Sequence, residues 1–146
     1  MNGKIAPHMV HTSFYAIYRQ YYAPQFMEID IMLKAMEAPL GVAETARMLQ
    51  ITEAAVRDIL ADESVKELDK PGFLTVMSLG ESAVCALYRR ELTRGRKPAY
   101  SPSDIAYIYG LQEDHVRGIF EKLSLRDIPA RDVPWLLDQI PMFLLY

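Results

Sequence analysis

The sequence predicts a mainly α-helical chain: two copies of one short two-helix unit, a small β-hairpin, and further helices in front. Three observations carry this. Residues 42–61 (VAETARMLQITEAAVRDILA) and 102–121 (PSDIAYIYGLQEDHVRGIFE) align at a shift of sixty with five identities in twenty positions: Ala46/Ala106, Glu53/Glu113, Val56/Val116, Arg57/Arg117 and Ile59/Ile119. A repeat of that kind sets the architecture before any single element does. Apolar residues recur at helical spacing through both copies. Between the two helices of each copy stands a turn position, Gly110 in the second and Gln50 in the first. The chain has 146 residues, 51% hydrophobic and 24% charged, which suits one compact domain or two very small ones, with a core that needs no disulfide.

The elements follow in order. One helix is expected over about 13–22, and another after Pro24 to about Glu37. The second is apolar nearly all round (Phe26, Ile29, Ile31, Met32, Leu33, Met36), so it must be buried against other elements or another chain. In the first repeated unit Thr52 caps the second helix. Gln50 there must adopt the left-handed conformation, at a cost of roughly 1 kcal/mol. VKEL, DKPG and FLTVM then suggest strand, turn and strand, because the last run is rich in β-formers. Ser78-Leu79-Gly80-Glu81 has the pattern of a capping box, opening a helix to about Leu92 with Val84, Leu87, Tyr88 and Leu92 on its inner face. In the second unit Ser101 is the expected N-cap, Pro102 suits the first helical position, and Asp104 completes a capping box. Gly110 supplies the left-handed turn residue. Leu125–Ile128 has the pattern of a shortened hairpin. A last helix is expected from about Asp132 to Gln139, with Trp135 and Leu136 inside.

Composition narrows the function classes. The single cysteine, Cys85, excludes a disulfide framework and a cysteine-rich zinc site, and is expected as a small core residue. His8, His11 and His115 stand in no metal-binding spacing, and no Ser/His/acid set or glycine-rich phosphate loop is present. The chain is therefore read as non-catalytic, with no metal and no cofactor. Its longest stretches free of Asp, Glu, Lys and Arg are short and mixed, and none approaches the roughly 20 apolar residues of a membrane span. No secretory cleavage site is apparent, so a cytoplasmic location is expected. The apolar helix after Pro24 and the apolar tail 141–146 suggest a homodimer interface, the commonest symmetric assembly.

The stretch YSPSDIAYIYGLQEDHVRGIF, followed by IPARDVPWLLDQI, resembles the winged helix-turn-helix domains of the MerR and excisionase group. The likeness rests on small Ala106, turn Gly110 and apolar Leu111, Val116 and Ile119. Such domains run helix, turn, recognition helix, β-hairpin wing, helix, and the first unit shows the same order. The resemblance covers about residues 40–140. It implies two winged-helix-like helix-turn-helix units, a first over 41–95 and a second over 96–146 with a C-terminal helix and the apolar tail; residues 1–40 match nothing in that group and are read from their own pattern as N-terminal helices for packing or dimerisation. It also implies a DNA-binding protein of transcription-regulator or accessory-factor type. The groove-facing positions would be Glu53, Ala54, Ala55, Arg57 and Asp58 in one recognition helix, and Glu113, Asp114, His115, Arg117 and Lys122 in the other.

Charge departs from that pattern. The net charge is −3, and residues 52–63 carry one basic residue, Arg57, against Glu53, Asp58, Asp62 and Glu63. Phosphate contacts need cations or donors. The marked basic run lies elsewhere, at Arg89, Arg90, Arg94, Arg96 and Lys97. It suits a phosphate backbone, an acidic protein partner, or simply the C-terminal end of a helix. Arg57 and Arg117 suit either a phosphate contact or an ion pair with the acid four residues earlier. Two functions follow: DNA binding through Arg57, the basic run, His115, Arg117 and Lys122, with the second unit as reader; or a protein-interaction module on the same scaffold that does not bind DNA.

Overall fold

The computed structural model describes residues 9–94 and 97–145. The chain begins with strand β1 (Met9–Ser13) and helices α1 (Phe14–Tyr21) and α2 (Ala23–Ala35). Then come α3 (Val42–Leu49), α4 (Glu53–Asp62), α5 (Lys70–Leu79) and α6 (Ala83–Arg94). A short strand β2 (Ala99–Tyr100) precedes α7 (Pro102–Tyr109) and α8 (Glu113–Lys122). Strand β3 (Ile128–Pro129), a 3-10 turn at Ala130–Asp132, α9 (Val133–Asp138) and strand β4 (Pro141–Leu145) complete it. The mainly helical class is as expected.

The expected repeat is present and is longer than the sequence identities suggest. Gln50 and Gly110 both adopt left-handed backbone, with φ of 58° and 68°. Past each turn, Ile51 N–H donates to the Ala46 carbonyl and Leu111 N–H to that of Ala106. Val56 and Val116 are both fully buried. The second helices end alike: Ser64 and Ser124 are left-handed (φ 53° and 56°), and Val65 and Leu125 donate back to Leu60 and Phe120. The correspondence then runs outward in both directions at the same shift. Leu40 bridges Leu68 as Tyr100 pairs with Ile128. Phe73, Val76 and Met77 of α5 are buried where Val133, Leu136 and Leu137 of α9 are buried. Helix α2 stands sixty residues before α6. The repeat thus spans helix, bridge, two-helix turn, bridge and helix, over about 23–80 and 83–140.

Several sequence expectations fail here, each for a local reason. The strand-turn-strand over VKEL-DKPG-FLTVM is not formed. Only Leu68 makes a bridge, and Lys70–Leu79 is helix. Asp69 caps that helix by accepting from Gly72 N–H at 2.9 Å, and Pro71 sits in its first turn. Gly72 is needed because a side chain there would strike the Glu67 carbonyl. The β-forming residues Phe73, Val76 and Met77 stand at i, i+3 and i+4, so burial in the core overrides their intrinsic preference. Thr75 donates to the Pro71 carbonyl one turn back. The capping box at Ser78 is likewise absent: Ser78 lies inside α5 and donates to Thr75, while Ser82 caps α6 by accepting from Cys85 N–H. Leu92, expected on the inner face of α6, is exposed. The shortened hairpin over Leu125–Ile128 is instead the long-range pairing of β2 with β3. Trp135 is exposed, because Val133, Leu136 and Leu137 already fill the inner face of α9.

Two cores result. The first gathers Ile29, Ala46, Met48, Leu49, Val56, Leu68, Phe73, Val76 and Met77, and is closed by Val84 and Cys85 of α6. Cys85 is buried, as expected of a small core residue, and burial pushes its thiol up. The second core gathers residues of α7, α8 and α9, and is closed by Phe14 of α1. The N-terminal helix therefore packs on α9 as α6 packs on α5. It is held there by Phe14 N–H donating to the Ile140 carbonyl, by Ser13 Oγ donating to Asp138, and by antiparallel β1–β4 pairing from Ser13↔Pro141 to Met9↔Leu145. The apolar tail is thus paired within its own chain.

The two turns make a matched pair for stability. Gly110→Ala places a side chain at φ 68° and is expected to cost roughly 1 kcal/mol. Gln50→Gly relieves the same strain in the first unit and is expected to be neutral or stabilising by up to about 1 kcal/mol. Urea midpoints of the two variants check both signs.

Candidate nucleic-acid interface

The helices that would face a groove, α4 and α8, are the exposed helices of their units. Each buries a narrow stripe, Val56 in α4 and Val116 with Phe120 in α8, and turns its charged residues outward. On α4, Arg57 pairs with Glu53 at 3.7 Å. On α8, Arg117 donates to Glu113 at 2.9 Å. These are the i,i+4 ion pairs foreseen as one of two readings, and both arginines remain more than half exposed. His115 and Lys122 are exposed on α8, and Lys122 makes no ion pair among the described residues.

The basic run is placed differently. The Arg89 guanidinium donates to the carbonyls of Ser78 and Gly80 at 3.0 and 2.9 Å, at the C-terminal end of α5. Arg90 Nε donates to the Ile108 carbonyl at 2.8 Å, at the end of α7. Arg94 lies 4.4 Å above the Tyr107 ring and 3.6 Å from Asp104. Lys97 Nζ donates to Asp104 at 2.8 Å. Arg96 lies outside the described residues. Each described member of the run therefore has a partner inside the chain, and the run does not gather with Arg57 or Arg117 into shared contacts.

Asp104 is the centre of this network. It is 5% exposed. Its second oxygen accepts from Ser101 N–H while Ser101 Oγ accepts from Asp104 N–H, which is the expected capping box. Burial works to raise its pKa, but the hydrogen bonds from Lys97 and Ser101 outweigh it, so the carboxyl titrates below the ordinary range. The local sequence foretold the cap; nothing in it foretold that Lys97 and Arg94 converge on the same carboxylate.

Two further features escaped the sequence reading. Ser82 Oγ donates to the Leu49 carbonyl at 2.6 Å, tying α6 to the end of α3. A cleft of about 390 Å³ opens between α6, β2, α7 and the start of α9, lined by Tyr88, Glu91, Tyr100 and Tyr109 among others. Burial pushes the Glu91 carboxyl up. Among the described residues no group of three or more His, Cys, Asp or Glu is placed to hold a metal, and no helix is long and apolar enough to cross a membrane. Comparison with protein-family models, with curated proteins and with solved structures returned no match.

The Asp104 network generates a pH signature. A depressed native pKa contributes stability above the unfolded-state value of about 4 and loses it as pH falls below that. Asp104→Asn is expected to cost about 1–3 kcal/mol near neutrality. The difference from wild type should narrow as pH drops below about 4. Urea unfolding at a series of pH values measures the gap directly.

Proposed function

We propose that this chain is a non-catalytic DNA-binding protein, of transcription-regulator or accessory-factor type, in which each repeat is a helix-turn-helix unit and the second is the reader. The observation that supports the reading best is the paired geometry of α3–α4 and α7–α8. In each, a first helix ends in a left-handed residue, and the second helix is exposed on every side but one narrow buried stripe. That is the disposition a recognition helix needs to enter a major groove. Helix α8 carries His115, Arg117 and Lys122 on its exposed face, and α4 has Arg57 alone among acids, so α8 is the better reader. Phosphate contacts would come from Lys122, with Arg117 directed to a base edge and Arg89, Arg90, Arg94 and Lys97 acting mainly to position α7 and α6. A homodimer joined through exposed Tyr21, Met27 and Ile31, at the end of α1 and along α2, would present two such helices to neighbouring half-sites.

A second reading has a specific observation in its favour. The internal partners of Arg89, Arg90, Arg94 and Lys97 leave little free positive charge, and α4 is acidic. The same exposed helices would then dock a protein partner with a basic surface, the repeated two-helix scaffold serving as an interaction module.

Anisotropy titration of a fluorescent DNA duplex at about 50 and about 200 mM salt separates the two, because phosphate contacts make affinity fall with salt. The DNA reading expects measurable binding at the lower salt and a clear loss at the higher. Arg117→Ala is expected to cost roughly 1–3 kcal/mol if it meets a base edge, Lys122→Ala to reduce the salt slope by about one, and Arg57→Ala to change little. Absence of binding at low salt selects the protein-interaction reading. Loss of binding on Arg57→Ala with Arg117→Ala intact reverses reader and scaffold.

A further inference from the structure

The second unit contains a cleft that its sister unit lacks the residues to form. The walls are Tyr88, Glu91 and Leu92 of α6, Tyr100 of β2, Ile105, Ile108 and Tyr109 of α7, and Ala130 and Val133. Its volume of about 390 Å³ is within the range of small-molecule sites. Glu91 is the one charged residue on that wall, and its carboxylate makes no ion pair or hydrogen bond among the described residues. Tyr109 is held in place by edge-on contacts from Phe14 and Tyr18, with ring centroids 5.7 and 6.0 Å away. Its position is therefore set before anything enters.

The repeat supplies an internal control. Sixty residues earlier, Tyr88, Glu91, Tyr100, Tyr109 and Val133 become Glu28, Ile31, Leu40, Leu49 and Phe73. There Leu49 and Phe73 are fully buried in the first core. The second unit has exchanged a leucine for a tyrosine at two of these positions, and a filling phenylalanine for a smaller valine. It has also placed a carboxylate where the first unit has isoleucine. Stability alone does not favour a half-buried, unpaired carboxylate.

We propose that this cleft binds an organic cation, an aryl- or alkylammonium whose charge is met by Glu91 and whose carbon skeleton lies against Tyr88, Tyr100 and Tyr109. Tyrosine rings attract an ammonium through their electron-rich faces and cover its apolar part. Burial raises the Glu91 carboxyl, and the Glu91 charge adds to the burial that raises the Tyr18 and Tyr109 phenols. A cation in the cleft would offset the cost that burial places on the ionised Glu91 carboxylate. The site is distinct from the exposed faces of α4 and α8, so its existence does not rest on DNA binding.

Calorimetric titration of the full chain with 2-phenylethylammonium chloride, and separately with neutral 2-phenylethanol, tests the proposal. The ammonium is expected to bind at least about tenfold more tightly than the alcohol. Glu91→Gln should remove that preference and leave the weak alcohol binding unchanged. Val133→Phe, which installs the first unit's residue, should abolish both, with a thermal melt confirming that it folds; Glu91→Gln carries the test alone if it does not. Equal affinity for ammonium and alcohol, an unchanged ammonium affinity in Glu91→Gln, or no binding of the ammonium up to about 10 mM overturns it.

Discussion

Helices α5 and α7 both end in carbonyl groups that have no partner within the helix, and such groups must be satisfied from outside. Two neighbouring residues of α6 do this: Arg89 reaches the end of α5 and Arg90 the end of α7. Ser82, at the start of α6, holds the end of α3, and Arg94, at its close, reaches Asp104 at the start of α7. One twelve-residue helix thus contacts helix ends in both units. A guanidinium suits the task because it stays charged and offers donors in a fixed fork. Its positive charge also complements the negative end of a helix dipole. These contacts tie α6 to both units at once.

This division of labour explains how two halves with so few identities keep the same form. The positions that set backbone geometry repeat: the left-handed turns at Gln50 and Gly110, the small Ala46 and Ala106, and the buried Val56 and Val116; Glu53/Glu113 and Arg57/Arg117 repeat as an exposed ion pair. Much of what differs lies on the surfaces each unit shows to its neighbours. The first unit's helix α2 has Met27 exposed where the second unit's α6 has Leu87 buried, since α6 has a unit on either side of it and α2 does not.

Much of the fold could be read along the chain wherever the determining contact is local. Ser101, Asp104 and Gly110 lie within nine residues of one another, and the cap and turn they form are those expected. Thr52 and the buried valines were legible for the same reason. The wing was misread because FLTVM has strong β propensity, and the competing signals, Asp69 as cap and the burial of Phe73, Val76 and Met77, only decide the matter once a core exists to receive them. The arginine run was legible as charge but not as structure. Nothing near Arg89 or Arg90 in sequence announces the carbonyls of Gly80 or Ile108 as partners. The cleft was invisible because its walls come from four separated segments, and it shows only when the two units are compared position by position.

The β1–β4 pairing has a consequence for how the chain assembles. The first core draws its residues from positions 29 to 85, a stretch that emerges continuously during synthesis. The second core needs Phe14 as well as Ile140, and the Ser13–Asp138 hydrogen bond closes a separation of 125 residues. Closing so long a loop costs entropy before its contacts reward it. Contacts of this range slow folding. Helix α1 is therefore among the last of these elements to dock: it must wait, its tyrosines uncovered, until α9 has been made. The first unit can be complete on the ribosome while the second remains open, so that two halves of nearly the same shape reach it by opposite schedules.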